Sequence, residues 1–111
     1  MSDLLDTNML DELREIMEDD FPMLLQTFLT ESEKQFQSAK IAWQEQQMDD
    51  LRRHVHSLKG SCGNIGAQQL RETCETLEYK AKDHEVAEIP ELLELVHQQL
   101  GEVCTAVARI S

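Results

Sequence analysis

The stretch that decides the fold is LRRHVHSLKGSCG, residues 51–63. Its apolar residues recur at helical spacing and fall within roughly 60° of one another on a helical wheel: Leu51, Val55, Leu58 and Cys62. This stripe predicts an amphipathic helix with one buried face. His56 lies roughly 130° from the centre of the stripe, so we expect its imidazole to face solvent.

His56 is surrounded by positive charge in a chain that is otherwise strongly acidic. One helical turn away, on either side, lie three cations and one residue without a side chain: Arg52, Arg53, Lys59 and Gly60. An exposed imidazole is largely neutral at neutral pH, so one ring nitrogen is free to act as a nucleophile. The cations would neutralise an incoming phosphoryl group, and the glycine would leave its approach open. The pattern therefore predicts a site for an anion at His56.

Gly60 lowers helix stability without a packing reason. A glycine inside a helix costs about 1 kcal/mol relative to alanine. Position 60 lies opposite the apolar stripe, so close packing against another helix does not account for the loss. We therefore expect Gly60 to leave room for a partner to reach His56.

The composition bounds the class of protein. The 111 residues make one domain with a single core, and the scarcity of aromatic residues, glycine and proline favours helices throughout. The net charge of −12 argues against binding to nucleic acid or to anionic membranes. No apolar run reaches the roughly 18 residues of a membrane span, and residues 1–6 are acidic, unlike a signal peptide. We expect a soluble, cytoplasmic protein.

The three cysteines, Cys62, Cys74 and Cys104, form no CxxC pair. Each falls on a predicted apolar helix face, so we expect small buried hydrophobic side chains. No paired spacing indicates a zinc site.

The rest of the sequence predicts one helix after another. Apolar residues at spacings of three and four give five segments with these approximate bounds: Asn8–Met17, Asp19–Gln46, Asp49–Asn64, Ala67–Lys82 and Pro90–Ile110. The last four are long enough to form an antiparallel bundle, and the first would cover one end of it. We therefore expect an all-α fold, an antiparallel four-helix bundle with an additional short N-terminal helix, in a single domain over residues 1–111.

Polar side chains predict where these helices begin. We expect the caps to be Asn8 for the first helix, Asp19–Asp20 for the second and Asp49–Asp50 for the third. Capping accounts for these acids, so they receive no catalytic role. Residues 83–89 predict a polar loop, and Ile110 is expected to face inward at the end of the last helix.

One short pattern in the chain resembles a family signature. His56-Ser57-Leu58-Lys59-Gly60-Ser61-Cys62, followed by Asn64-Ile65-Gly66-Ala67, is similar to the signature of histidine-containing phosphotransfer (HPt) domains. That signature reads His-x-Leu-Lys-Gly, then small residues, then an aliphatic residue and a glycine. The similarity continues into the next helix through these positions: Leu70, Cys74, Glu75, Leu77 and Glu78.

The resemblance implies a role for each residue of the motif. His56 would be the phospho-accepting histidine, Lys59 would steady the phosphoryl group, and Gly60 would admit the partner. Glu78 and Lys82 match positions that often flank the histidine with polar or basic side chains. An acid at position 78 could orient the imidazole N–H or could repel the phosphoryl group. Arg52 and Arg53 support the site through their charge and are not part of the motif.

The resemblance also implies the partners. His56 would accept a phosphoryl group from the aspartate of a receiver domain in a hybrid sensor histidine kinase and pass it to the aspartate of a response regulator. The chain would need no cofactor of its own, because the receiver domain holds the Mg²⁺. It shows no Gly-rich nucleotide loop, so we expect no autokinase activity with ATP. We expect a monomer that docks through the exposed face of the third helix and parts of the second and fourth.

Two other classes of protein compete with this interpretation. A non-catalytic helical adaptor with the same fold could bind a receiver or kinase without phosphotransfer, but it would not need a bare glycine beside an exposed histidine. A four-helix metal protein would need inward Glu-x-x-His pairs, and the single pair Glu94/His97 has no match on another helix.

The other histidines are expected to carry no chemistry. The ring of His54 points roughly 160° away from that of His56, so we expect a residue at the boundary of the core. His84 lies in the predicted loop and His97 just outside the apolar stripe of the last helix. The cognate kinase and regulator, the direction of net phosphoryl flow, and whether the chain is a stand-alone protein or a module stay open.

Overall fold

The computed structural model describes residues 4–111, so the first three residues of the acidic N-terminus lie outside the described part. Five α-helices follow one another: α1 Thr7–Met17, α2 Phe21–Gln44, α3 Met48–Asn64, α4 Gln68–Lys82 and α5 Ile89–Ile110. Two short 3₁₀ turns precede α2 and α5: Glu18–Asp20 and Val86–Glu88.

The four long helices form the predicted bundle. α3 packs between α2 and α4, and α5 closes the bundle by packing against α4 and α2. The predicted stripe of α3 is fully buried, with Leu51, Val55, Leu58 and Cys62 at most 1% exposed. The short α1 contacts α2 and buries Leu10 in the same core. The all-α fold with an additional N-terminal helix is therefore confirmed.

Of the three predicted helix caps, only the one for α2 is correct in position. Asp6, not Asn8, caps α1, and its carboxylate accepts a hydrogen bond of 3.1 Å from the backbone of Met9. Asp19 and Asp20 lie in the 3₁₀ turn that leads directly into α2, where Asp20 occupies the predicted N-cap position but forms no side-chain cap bond. Asp49 and Asp50 lie inside the first turn of α3, two and three residues after Gln47 at its N-cap. The backbones of Asp19, Asp20, Asp49 and Asp50 are already helical. Their carboxylates interact with the positive N-terminal ends of α2 and α3 through charge.

The turn between α3 and α4 fixes the N-terminal segment. Gly66 has a φ of +73°, which side-chain-bearing residues rarely adopt. Its carbonyl accepts a hydrogen bond of 2.9 Å from the backbone of Asp6, and a Cβ at position 66 would lie 2.8 Å from the Cβ of Asp6. This contact explains why α1 starts at Thr7, immediately after Asp6.

The predicted loop and one core position also need correction. Residues 86–88 form a 3₁₀ turn rather than loop, and Ile89 starts α5 with its side chain fully buried. Ile110, expected to face inward, is 38% exposed at the last turn. Within residues 4–111, no helix is both long and apolar enough to cross a membrane.

Candidate functional site

The two faces of α3 separate the core from the site. The apolar stripe packs α3 between α2 and α4, so the backbone that carries the side chains of its other face is held in place. His56 lies on that face, with 64% of its side chain exposed. The expectation that its imidazole faces solvent is therefore met by the geometry.

A single carboxylate from α4 connects the two central residues of the motif. Glu78 Oε2 lies 2.9 Å from His56 Nδ1, and Glu78 Oε1 lies 2.8 Å from Lys59 Nζ. Glu78 and Lys59 are mostly shielded from solvent, with side chains 18% and 20% exposed. Of the two outcomes that an acid at position 78 allowed, the structure shows the orienting contact with the imidazole.

Glu78 carries a negative charge at neutral pH. Its partial burial raises the pKa of the carboxyl group, but the hydrogen bonds from Lys59 and His56 outweigh that effect and lower the pKa below its usual value. A carboxylate without its proton can only accept hydrogen bonds. The Nδ1 atom of a neutral His56 must therefore carry the ring proton.

This tautomer leaves the lone pair on Nε2. Because Nδ1 donates to Glu78, the other nitrogen of the neutral ring is unprotonated and is the one able to act as a nucleophile. A carboxylate on Nδ1 also stabilises the positive charge that the ring gains when Nε2 forms a bond. The arrangement suits attack on an electrophile that arrives from solvent.

The helix surface beside His56 is open at Gly60. No heavy atom beyond the helix's own backbone and the adjacent residues would lie within 4 Å of a Cβ built at this position. The glycine therefore serves no close packing, as the sequence indicated. One residue further on, the Ser61 hydroxyl donates to Gln35 of α2 at 3.0 Å and so joins α3 to its neighbour.

The cations predicted to support His56 have different surroundings in the structure. Arg52 and Arg53 line the shallow cleft around His56, and Arg53 also pairs with Asp50 one turn earlier. Lys82 is not among the residues that line this cleft, and its ammonium lies 5.8 Å from the centre of the Tyr79 ring. The structure therefore brings together the histidine, Lys59, Glu78 and the two arginines, and Lys82 lies one helical turn after Glu78 on α4.

The remaining histidines differ from His56 in their surroundings. His54 is half-buried at the edge of the core stripe and also borders the cleft. His84 is exposed in a turn. His97 stacks on Phe36 of α2, with ring centroids 5.0 Å apart. Among residues 4–111, no group of three or more His, Cys, Asp or Glu side chains is placed to hold a metal ion.

The cysteines sit where the apolar pattern predicted. Cys62 and Cys74 are fully buried and Cys104 is half-buried, all as free thiols. The hydrogen bond to Cys74 and burial both raise the pKa of the Cys62 thiol, which disfavours its reactive thiolate form.

Sequence reasoning missed the double contact of Glu78. The two partners lie 22 and 19 positions away along the chain, and only the packing of α4 on α3 brings them together. One signal was available, since Glu78 directly follows the buried Leu77 and so lies at the edge of the apolar stripe of α4. A charged side chain at such an edge reaches toward the neighbouring helix.

Comparisons with known proteins agree with this geometry. Residues 23–107 match the family model described as Hpt domain. The chain is also similar to the crystal structure of histidine-containing phosphotransfer protein B (HptB) from Pseudomonas aeruginosa PAO1. The TM-score is 0.94 at 34% sequence identity, over 98% of this chain and 95% of that chain. A comparison with curated proteins finds no match.

Proposed function

The chain belongs to the Hpt domain family, and we propose that it carries a phosphoryl group on Nε2 of His56 between two receiver domains. Histidine phosphotransfer in phosphorelays is the role that the family gives it. The assignment to His56 rests on one observation above all. Its ring is 64% exposed, while its Nδ1 is held 2.9 Å from a carboxylate.

The first step is transfer from a receiver aspartate. The lone pair of Nε2 attacks the phosphorus atom, the N–P bond forms, and the P–O bond to the aspartate breaks and releases its carboxylate. The Nδ1 proton stays on the ring, which becomes positive beside Glu78. In the second step the aspartate of another receiver attacks the same phosphorus, and the electron pair of the N–P bond returns to Nε2.

Positioned charge supports both steps. Lys59 lies on the turn next to His56, so its ammonium is within reach of a phosphoryl group on the ring if it turns from Glu78. Arg52 and Arg53 add positive potential at the cleft, which attracts the acidic phosphoryl site of a receiver. The receiver would hold the Mg²⁺ that such reactions use. The steps proposed for this chain involve only its own side chains.

The partners in this proposal are the receiver domain of a hybrid sensor histidine kinase as donor and that of a response regulator as acceptor. They would dock on the exposed face of α3 and on parts of α2 and α4. The groove between α2 and α3 and the 62%-exposed Tyr79 of α4 offer apolar surface there. A transient contact of this kind commonly buries less than about 1,200 Å².

We further propose a monomer with a single domain over residues 1–111, acting in the cytoplasm. The bundle buries its apolar stripes within one chain, which supports a monomer. The three free thiols suit a reducing compartment. Light scattering of the purified protein tests the monomer, and a dimer mass would contradict it.

Phosphoryl transfer to the purified full chain tests the assignment. A receiver domain carrying labelled phosphate on its aspartate is mixed with Mg²⁺ and with wild type, His56→Ala or His54→Ala. The His54→Ala variant is the matched control, because it removes a histidine two residues away that borders the same cleft. We expect label on wild type and on His54→Ala, lost in acid and stable in base as a phosphoramidate is, and none on His56→Ala.

The alternatives make different predictions for the same assay. Label that persists in His56→Ala would mean that another residue accepts the phosphoryl group. If several receivers leave the folded wild-type chain unlabelled, the non-catalytic adaptor becomes the better description.

A further inference from the structure

The partner of His56 Nδ1 is a group that cannot donate a hydrogen bond. Glu78 is ionised, and its Oε2 faces Nδ1 at 2.9 Å. An amide at this position could hydrogen-bond to Nδ1 with or without its proton, because it can accept through its oxygen or turn and donate through its nitrogen. A carboxylate can hydrogen-bond to Nδ1 only when Nδ1 keeps its proton.

This restriction matters most after phosphorylation. With the phosphoryl group on Nε2, the ring either keeps the Nδ1 proton and a positive charge or loses the proton and exposes a lone pair. In the second state two acceptors would face each other across 2.9 Å. That contact is repulsive in a site where Glu78 is only 18% exposed. The carboxylate therefore favours the protonated ring.

The ring proton decides how easily the phosphoryl group leaves. When Nδ1 is protonated, breaking the N–P bond returns the electron pair to Nε2 and releases a neutral imidazole. When Nδ1 is unprotonated, the same step would release an imidazolate anion, which is a far poorer leaving group. Retaining the proton therefore keeps the phosphoryl group transferable.

We propose that Glu78 holds the Nδ1 proton on phosphorylated His56 and so keeps the phosphoryl group ready for transfer at alkaline as well as neutral pH. Glu78 is in this sense a positioning residue that acts through the ring. The inference rests on the proposed function, because it requires the phosphoryl group to reside on His56. It goes beyond that function by assigning to this chain a short-lived, readily discharged phosphoryl carrier.

Other charges near the ring act on the same proton and have to be held constant. From α3 itself, Arg52, Arg53 and His54 border the cleft, and Lys59 reaches Glu78 from the opposite side. Helix α4 contributes Glu78 to the cleft, and Lys82 follows one helical turn later on the same helix. Helix α2 places Glu31 in the neighbouring groove. A test that changes position 78 alone leaves these groups in place.

The test compares wild type with Glu78→Gln, which keeps the size of the side chain but provides an amide. Glu72→Gln is the matched control, since it removes one negative charge from an exposed position on the same helix. Each phosphorylated full-length chain is mixed with unlabelled receiver and Mg²⁺ between about pH 6 and about pH 10. Single-turnover transfer is recorded relative to wild type, so the receiver's own pH dependence cancels.

We expect the relative rate of Glu78→Gln to fall by about tenfold or more toward alkaline pH, and that of Glu72→Gln to stay level. Nitrogen NMR of the phosphorylated ring gives a second, direct measurement. Nδ1 should keep its proton to a pH about one unit higher, or more, in wild type than in Glu78→Gln.

Each outcome bears on one part of the account. Coinciding pH profiles and equal loss of the Nδ1 proton would overturn this inference and leave phosphotransfer on His56 intact. An unlabelled wild type would overturn the proposed function and this inference with it. If Glu78→Gln does not fold by circular dichroism, the NMR titration of phosphorylated wild type against phosphorylated free histidine decides. Equal titration of the two would overturn the inference.

Discussion

Two helices of this bundle carry a histidine followed four residues later by an exposed glycine. On α3 the pair is His56 and Gly60, and on α5 it is His97 and Gly101. A Cβ built at either glycine meets nothing within 4 Å beyond the local helix. The two surfaces differ in what the neighbouring helix presents to the ring.

His56 Nδ1 faces the Glu78 carboxylate at 2.9 Å, whereas the His97 ring stacks on Phe36 with an interplanar angle of 13°. A carboxylate fixes which nitrogen carries the proton and supports positive charge on the ring. An aromatic face supplies packing and leaves the ring nitrogens undirected. The spacing of histidine and glycine therefore does not make a site, and the side chain supplied by the adjacent helix does.

The largest expected effect comes from exchanging each of these partner side chains for alanine. Phe36→Ala removes a ring that is 3% exposed, so we expect a loss of about 3–5 kcal/mol in the free energy of unfolding. Glu78→Ala should cost less, about 1–3 kcal/mol, since it leaves the mostly shielded Lys59 ammonium without its partner, but slow phosphoryl transfer roughly tenfold. Denaturant unfolding and the transfer assay measure the two quantities.

The comparison fails if these effects cross over. A large stability loss in Glu78→Ala with normal transfer would show that the α3 site is a structural contact like the one on α5.

The two lysines near the two histidines give the next largest difference. Lys59 pairs with Glu78 beside His56, and Lys40 borders the groove that contains His97. We expect Lys59→Ala to lower the rate of phosphoryl transfer about tenfold to hundredfold, because a cation close to the developing charge is lost. Lys40→Ala should transfer at the wild-type rate. Equal transfer rates in the two variants would show that Lys59 does not contribute to phosphoryl transfer.

The two glycines sharpen the comparison further. Gly60→Ala and Gly101→Ala should each stabilise the fold by up to about 1 kcal/mol, because alanine is the better helix former and space is free at both positions. Only Gly60→Ala should slow phosphoryl transfer, since its methyl group would stand beside the ring of His56. Thermal unfolding and single-turnover transfer are measured on both variants, and equal transfer rates would refute the access role of Gly60.

The smallest effect is the acid dependence that Glu78 contributes. Its pKa in the folded state lies below the ordinary value of 4.5, so its contribution to stability is present above that value and is lost as the pH falls through the folded-state pKa. We expect wild type to be more stable than Glu78→Gln at neutral pH and the difference to shrink below about pH 4.5. A difference that does not change with pH would contradict this assignment.

Much of the fold could be predicted because its signals are local. The stripes of α3 and α4 repeat every three or four residues, and each of their members is buried in the structure. The predicted helix starts lie within about two residues of the observed ones, but the capping side chains were predicted less well, because a cap depends on where the preceding chain is held. The bond from the backbone of Asp6 to Gly66 joins α1 to the α3–α4 turn, and this tertiary contact moves the cap from Asn8 to Asp6.

The site was predictable from helical geometry on the helix that carries the motif, whereas on α4 the family resemblance named Glu78 but left its contact open. The exposure of His56 and the open space at Gly60 follow from the helical period of α3. The role of Glu78 does not, since the rotation of α4 against α3 decides whether its carboxylate reaches the ring. The positive charge expected around His56 is also partly neutralised. Arg53 pairs with Asp50 on the same helix, and Lys59 pairs with Glu78 on the next.

Nitrogen NMR of the imidazole rings, before and after phosphorylation by a receiver domain, tests the central claim most directly. It identifies both the histidine and the ring nitrogen that accept the phosphoryl group. We predict that the phosphoryl group appears on Nε2 of His56, that Nδ1 of the same ring keeps its proton, and that His97 is unchanged. A phosphoryl group on Nδ1 of His56, or on any other histidine, would contradict the account.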